Sequence, residues 1–547
     1  MTTHLRKKGS LSLAVLLTVS LAAGCSTAKK EGDIQTSASP AGSSPPAAQT
    51  TEPAKQLDKN AKIRIAVPEN AAFKGFDQGM SENKNPFLDA LKEKTGYKNV
   101  EWTVIPAANQ LDKLNLMFAS GDTFDLIYNS DLSLYNRFVG QGMLLDLNDV
   151  IGRYGSEISK MVADSSWAAV TKGGNKYAIP VPPYQKYNDQ NLGGGFLARE
   201  DWINKLGLQD PKNLDELYTF LKTLKEKDPS GKGTLPLTAS GANRGNPFDG
   251  LDMITGAFGM SGITDLAVPF IVQDGKLVDS QDLYLKELLT YLNRLYKEGL
   301  LDNEFLFNKS AQVNEKVSAG KAAALYAGYY DVKNLSAALV KTDSGASFKF
   351  LAPVTGKDGR KGYPRPAPVS FFFMIPKNAK HPAEAIDLLN TYLKDKDLQN
   401  YINFGKEGTH YEMVNGNLSP IKPAYDQIIY KIYYRLWNSP DVWLPNAKLA
   451  GYEPDMIKYT AVGPHLIAPN INQYRPQTEV ELSKGKTLID LRYEYAAKII
   501  TGAFPLEALD EYFKKADAAG RKEVIQASQS WFQQEGQAIY SKLVQAK

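Results

Sequence analysis

Cysteine is nearly absent: Cys25 stands alone in 547 residues. Without a second thiol there is no intramolecular disulfide and no multi-cysteine zinc site, and packing has to supply the stability. Histidine is almost as scarce, at His4, His381, His410 and His465, with no HExxH and no two close enough to form a local pair. Ordinary surface or core positions account for such scattered histidines more readily than catalysis or a metal. Neither sign of charge prevails, since 64 Lys and Arg face 60 Asp and Glu for a formal +4. That balance gives no electrostatic basis for binding nucleic acid. The longest apolar run falls short of the ~20 residues that span a bilayer comfortably. A GxSxG nucleophile motif is missing too. SKGKT at 483–487 follows Val480, where a phosphate loop needs glycine, and reads as a short loop before a helix.

What the chain does hold is rings, 29 Tyr and 22 Phe, within a hydrophobic share of 43%. Its length fits about three domains, or two large lobes with ample cores. At the start, Arg6, Lys7 and Lys8 precede the apolar run 11–23, and the small residues Ala22, Ala23 and Gly24 lead to Cys25. Charge, a short apolar run and a small-residue site are the layout of an export signal. Its end resembles a bacterial lipoprotein signal, which implies diacylglyceryl transfer to the Cys25 thiol and cleavage before it. Ala22 departs from the leucine that such signals prefer three positions ahead of the cysteine. The resemblance makes 1–24 a signal peptide and Cys25 the lipid-bearing mature terminus, at the extracellular face of the cell membrane. The alternative is an uncleaved anchor with an incidental cysteine. Residues 25–60, rich in Ser, Thr, Ala and Pro without an apolar period, read as a disordered tether with a reach of ~30 Å.

Order begins in KIRIAVPEN, where Ile63, Ile65 and Val67 alternate with Lys62, Arg64 and Ala66 in a strand's period of two. NPFLDALKEKTGY at 85–97 places Phe87, Leu88 and Leu91 on one helical face and ends near Gly96. VEWTVIPA at 100–107 is a second strand, and FDLIYN at 124–129 a third. Between them NQLDKLNLMFASG carries Leu111, Leu114, Met117 and Phe118 at helical spacing. This alternation predicts right-handed crossovers and a parallel sheet, with ligands beyond the carboxyl ends of its strands. Beyond residue 200 the pattern is mainly helical, in DWINKLGL, LDELYTFLKTLKEKDP, DLYLKELLTYLNRLYKEGLL, HPAEAIDLLNTYLKDKDLQNYI and TLIDLRYEYAAKII. FFFMIP at 371–376 reads as a buried returning strand.

Six phrases together resemble one family, the extracellular solute-binding proteins of ABC importers, in the large lipoprotein branch of Gram-positive bacteria. They are ASGDTFDLIYNSD (119–131), GNKYAIPVPPY (174–184), LAREDWINKLGL (197–208), PKNLDELYTFLKTLKEKDPSGKG (211–233), AGKAAALYAGYYD (319–331) and FGKEGTHYEMVNG (404–416), spread along the chain in family order. The resemblance implies an α/β, periplasmic-binding-protein-like fold of two lobes joined by hinge strands, with a helix-rich C-terminal part. Within a solute-binding body at 61–547, lobe 1 is expected at 61–180 plus 320–380 and lobe 2 at 181–319 plus 381–547. It also implies a monomer that binds a small-molecule solute, mostly a carbohydrate in this family, and hands it to ABC permease subunits without cofactor or bond cleavage.

For that ligand, Asp122 and Asp125 in GDTFD can accept hydrogen bonds from sugar hydroxyls, or can simply cap and terminate a helix. Three prolines, Pro180, Pro182 and Pro183, stiffen a crossover that delivers Tyr184 to the cleft, unless the segment is a plain surface loop. In AGYYD, Tyr329 and Tyr330 offer flat faces with polar tips for stacking on a pyranose. Strand alternation turns one of the two toward the cleft, and core packing is the alternative. Trp437 and Trp443 in RLWNSPDVWLP suit a loop platform, Trp167 and Trp102 fit cleft or core equally, and Trp202 and Trp531 read as core. Related oligosaccharide binders carry a calcium loop after the KEKDP helix. Here Lys232 stands where an oxygen ligand belongs and no carboxylate follows, so no structural metal is expected. A lipoprotein glycoside hydrolase using two carboxylates, and a ligand sensor without transport, remain the competing readings.

Overall fold

The alternation of KIRIAVP becomes β1 (Lys62–Pro68), whose Ile63, Ile65 and Val67 enter one core while Ala66 enters another on the opposite face. Burial on both faces is what a parallel sheet covered by helices requires. The computed structural model describes residues 56–547 apart from 70–74, 107–109, 122–123, 182–193, 363–368, 370, 438–444, 446–447, 450, 463–469 and 546–547. The chain divides into units 1–54 and 55–547. The signal peptide, Cys25 and nearly all of the expected tether lie outside the described residues.

Parallel to β1 run β2 (Asn99–Ile105) and β3 (Leu126–Asn129). The helix Pro86–Thr95 between the first two strands starts where the Asn85 side-chain oxygen accepts from the Phe87 and Leu88 N–H groups at 3.1 and 3.0 Å, and stops at Gly96 with φ 76°. It buries Phe87, Leu88 and Leu91, the face that the spacing predicts. A hairpin of β4 (Thr171–Lys172) and β5 (Asn175–Lys176) leads into β6 (Ala178–Val181). The chain then supplies β7 (Gly194–Arg199), the hairpin β8 (Phe270–Gln273) and β9 (Lys276–Asp279), β10 (Ala324–Gly328) and β11 (Phe348–Leu351). It returns as β12 (Phe371–Met374), where Phe372, Phe373 and Met374 are buried. One sheet has the order β2-β1-β3-β12-β6, with β12 antiparallel to both neighbours. The other has the order β10-β7-β11, with β7 antiparallel to both.

These pairings correct the lobe boundaries expected from the sequence. Because β10 and β11 flank β7, the segment 324–351 belongs with the second sheet and not with lobe 1. Because β12 brings the chain back to the first sheet, the helices Pro382–Lys394 and Lys396–Phe404 fill the core beside β1 and β2. Tyr430, Tyr433, Tyr434 and Trp437 join them there, so 381–437 lies in lobe 1 and not in lobe 2.

The helix Glu479–Thr501 packs against Ser280–Lys297 in the second core. SKGKT lies within this helix and not in a loop before it. The true start is the capping box of Thr478 and Glu481, whose N–H and carboxylate engage the Thr478 hydroxyl and N–H at 3.1 and 2.9 Å. Near the C-terminus, Arg521 on the helix Arg521–Trp531 reaches Asp279 at 2.8 Å and also pairs with Asp282. A π turn, Phe532–Gly536, and the helix Gln537–Gln545 then carry Leu543 into the core on the far face of the first sheet. The last helices therefore strap one lobe to the other. Among the described residues no helix is long and apolar enough to cross a membrane.

Candidate functional site

Strand direction locates the cleft. In the first sheet β1, β3 and β6 end at Pro68, Asn129 and Val181, and antiparallel β12 begins beside them at Phe371. In the second, β7 begins at Gly194, opposite the end of β10 at Gly328, and β11 ends at Leu351. The chain goes from the first sheet at Val181 to the second at Gly194, and from the second at Leu351 back to the first at Phe371. These ends are thus the two rims of the cleft, where open α/β sheets bind ligands.

On the rim of lobe 2, β10 runs directly into the helix Tyr329–Leu339, whose first turn is held by the Gly328 N–H donating to the Asp331 carboxylate at 3.0 Å. A Cβ on Gly328 would lie 2.4 Å from the Tyr330 ring, and one on Gly194 would lie 2.7 Å from the Ala327 oxygen and 3.0 Å from the Tyr326 ring. Two facing glycines therefore make room for two rings. Tyr330 is 46% exposed, whereas Tyr329 is 5% exposed and packs 6.3 Å from Tyr459 in a core. Tyr326 lines a 130 Å³ cavity with Ser240, Ser310, Asn314 and Asp331. Beside it the Asp249 carboxylate accepts from the Ser240 hydroxyl at 2.9 Å. Burial, with Asp252 and Asp249 nearby, pushes the Tyr326 hydroxyl well above its ordinary range, so it stays a neutral donor. Burial also lifts Asp252 to about 6 against the opposing pull of the Ser261 hydroxyl, with Asp249 adding to the rise.

On the rim of lobe 1, β3 ends in buried Asn129. Its side-chain oxygen accepts from the Asp131 N–H at 2.7 Å, but its Nδ2 has no acceptor among the described residues. A buried donor left without a partner costs ~1–3 kcal/mol, a deficit that a ligand hydroxyl would remove. Asp131 starts the next helix, Leu132–Gly140, by accepting from the Leu134 N–H at 3.2 Å. Nothing in the NSD stretch at 129–131 sets Asn129 apart by residue type. The available signal was its position as the last residue of a parallel strand.

Of the residues expected in the site, Asp122, Tyr184 and Trp443 lie outside the described residues, with Cys25. Asp125 is a structural tie at the start of β3. It is 3% exposed, and its oxygens accept from the Arg64, Lys380 and His381 N–H groups at 2.9, 3.0 and 2.8 Å. Trp437, 3% exposed, belongs to the core beside β1 and is no loop platform. Trp167 is half-buried between the two cores of lobe 1, with Lys176 Nζ 5.3 Å from its ring. Tyr329 is inward because it opens a helix instead of alternating along a strand. Tyr330 alone of the described candidates presents an open ring at the rim.

The loop after Leu214–Lys227 is closed by its own donors. Asp228, at φ 35°, accepts from the Ser230 hydroxyl and from the Thr234 N–H and hydroxyl, each at 2.7 Å, and from the Gly233 N–H at 3.1 Å. The hydroxyl bonds lead in holding its carboxyl below the usual range. Among the described residues no group of three His, Cys, Asp or Glu is placed to hold a metal.

Residues 75–398 match the family described as bacterial extracellular solute-binding protein. Lipoprotein LipO of Bacillus subtilis is 27% identical over 366 residues, covering 64% of this chain and 68% of LipO. The polygalacturonan/rhamnogalacturonan-binding protein YtcQ of the same organism is 25% identical over 370 residues, covering 65% of this chain and 70% of YtcQ. An HMO-binding, ABC-transporter-associated solute-binding protein of Bifidobacterium longum infantis shares the fold, with a TM-score of 0.64 at 16% identity over 88% of this chain and 99% of that one. With a two-lobed α/β body, a rim built around an open tyrosine, and a family match that spans more than half its length, this chain belongs to the bacterial extracellular solute-binding proteins.

Proposed function

We propose that the protein captures a carbohydrate between its lobes and delivers it to the permease subunits of an ABC importer, working as a monomer lipid-anchored through Cys25 outside the cell membrane. The carrying observation is the rim of lobe 2. The exposed Tyr330 is followed in the chain by Asp331, which lines a small cavity together with Tyr326, Ser240 and Asn314. Rings of this kind cover the apolar face of a sugar while amides, hydroxyls and carboxylates exchange hydrogen bonds with its hydroxyls. Hinge closure brings Asn129 to the same ligand from the other rim. Two relatives support the reading: YtcQ is named for polygalacturonan and rhamnogalacturonan, and LipO is named a lipoprotein.

The test is a thermal-shift screen across glycans, with product analysis of every hit. Stabilisation without turnover is expected, and cleavage of a stabilising glycan would instead establish a hydrolase. For the hit, Tyr330→Ala is expected to weaken binding by ~1–3 kcal/mol with the melting temperature of the free protein unchanged. Unaltered affinity would remove Tyr330 from the site. Intact mass of the membrane-extracted protein is expected to show a lipid-bearing chain that starts at Cys25, and retention of 1–24 would rule out that anchor.

A further inference from the structure

We propose a second binding site, separate from the cleft, at the junction of the helices Leu132–Gly140 and Glu479–Thr501, for a small organic molecule carrying a carboxylate or phosphate group. A cavity of 610 Å³ opens there, bounded by Arg137, Gln141 and Lys172 of the first lobe and by Pro476, Glu479 and Leu482 of the second. Its size falls within the ~300–1,000 Å³ of ordinary ligand sites.

Charge selects the occupant. Among the described residues the Arg137 guanidinium has no ion-pair partner, and the Lys172 ammonium meets only the Tyr474 carbonyl, at 3.3 Å. Arg475 faces Lys172 as well, but its own charge is already matched by Glu481 at 2.5 Å. The second wall is the amino end of a 23-residue helix, which adds positive potential. Against this stand two carboxylates, Glu479 in the lining and Glu535, whose charge acts on Lys172. An oxyanion completes the set, since arginine takes a carboxylate or phosphate through two parallel bonds while lysine supplies a point charge. Val139, Pro476 and Leu482 add an apolar wall suited to a carbon skeleton and not to a bare ion.

Burial pulls Lys172 down to about 8, with Arg475 adding to the fall and Glu535 opposing it. A bound anion favours the protonated amine, so affinity decreases as pH rises through that value. Because the two walls come from different lobes, an occupant also biases the hinge, with positive or negative coupling to the cleft.

The experiment is calorimetric titration of the full mature chain with galacturonate, glucose 6-phosphate and neutral galactose at matched ionic strength. At least one of the two acids is expected to bind with a Kd below about 1 mM, and galactose not to bind at this junction. A preference between the acids identifies which oxyanion the site takes. The double substitution Arg137→Gln and Lys172→Met is expected to lower that affinity at least about tenfold, and Glu479→Gln to raise it. Affinity should fall between about pH 7 and about pH 9.5 in the wild type and stay level in Lys172→Met. Saturable binding of neither acid overturns the proposal. So does acid binding that is lost in Tyr330→Ala but kept in the double variant, because such binding belongs to the cleft.

Discussion

Asp125 ties three backbone donors that have no other carboxylate, at Arg64, Lys380 and His381. Asp125→Ala is expected to lower unfolding stability by on the order of 3 kcal/mol, read as a shift of the denaturant midpoint, with glycan affinity of the folded protein unchanged. A loss of affinity without a loss of stability would return Asp125 to the cleft. Asp252 works in the opposite sense. Its carboxyl keeps the proton up to about 6 when folded, whereas an unfolded aspartic acid releases it near ~3.9. Stability therefore falls as pH rises from about 4 through about 6, and above that the buried charge stays a burden. Asp252→Asn keeps an acceptor for the Ser261 hydroxyl, at 3.1 Å from Oδ1. Chemical denaturation is expected to find it about 2–3 kcal/mol more stable than the wild type near pH 7.5 and about equal near pH 4. Equal stability at both values would mean that Asp252 is solvated. At this scale the sequence was least informative. A carboxylate beginning a strand looks the same whether it serves a ligand or the chain's own amides, as Asp125 did. A tryptophan next to Pro and Asn looks like a loop platform even when, like Trp437, it fills a core.

Elements were more legible, because a hydrophobic period reports a face directly. Ile63, Ile65 and Val67 made one side of a strand, Phe87, Leu88 and Leu91 one side of a helix, and FFFM a buried strand. Their partners were not legible, since a period names a face and not what covers it, which is why the lobe boundaries moved. The same limit hid the seam between the short helix Asp252–Ala257 and the stretch 354–362 that leads back to lobe 1. There a Cβ on Gly256 would sit 2.0 Å from the Gly362 oxygen, and one on Gly356 would sit 1.8 Å from the Ala257 oxygen. Backbone meets backbone with no side chain between, so neither glycine can grow without parting the seam. Gly256→Ala and Gly356→Ala are each expected to cost about 1–3 kcal/mol. They should also change glycan affinity, because the displaced segment leads from the second sheet back to the first. A variant of wild-type stability and affinity would show that the crossover yields freely.

For the whole molecule, the two lobes are joined by more than the crossovers at the rims. The helix Arg521–Trp531 is fixed to lobe 2 by Arg521 with Asp279 and Asp282, and Leu543, eleven residues past the π turn's first residue, is buried in lobe 1. A strap attached at both ends limits how far the lobes can part. Affinity for a ligand that binds the closed form scales with the fraction of molecules already closed, so anything that widens the free ensemble weakens binding without touching the cleft. Deleting 537–547 is expected to raise the radius of gyration of the free protein in X-ray scattering and to weaken glycan binding several-fold. The ligand-bound radius should remain that of the wild type, since closure is then held by the ligand. An unchanged free radius would show that the crossovers alone set the opening. A larger bound radius would show that the C-terminal helix helps to build the closed state itself.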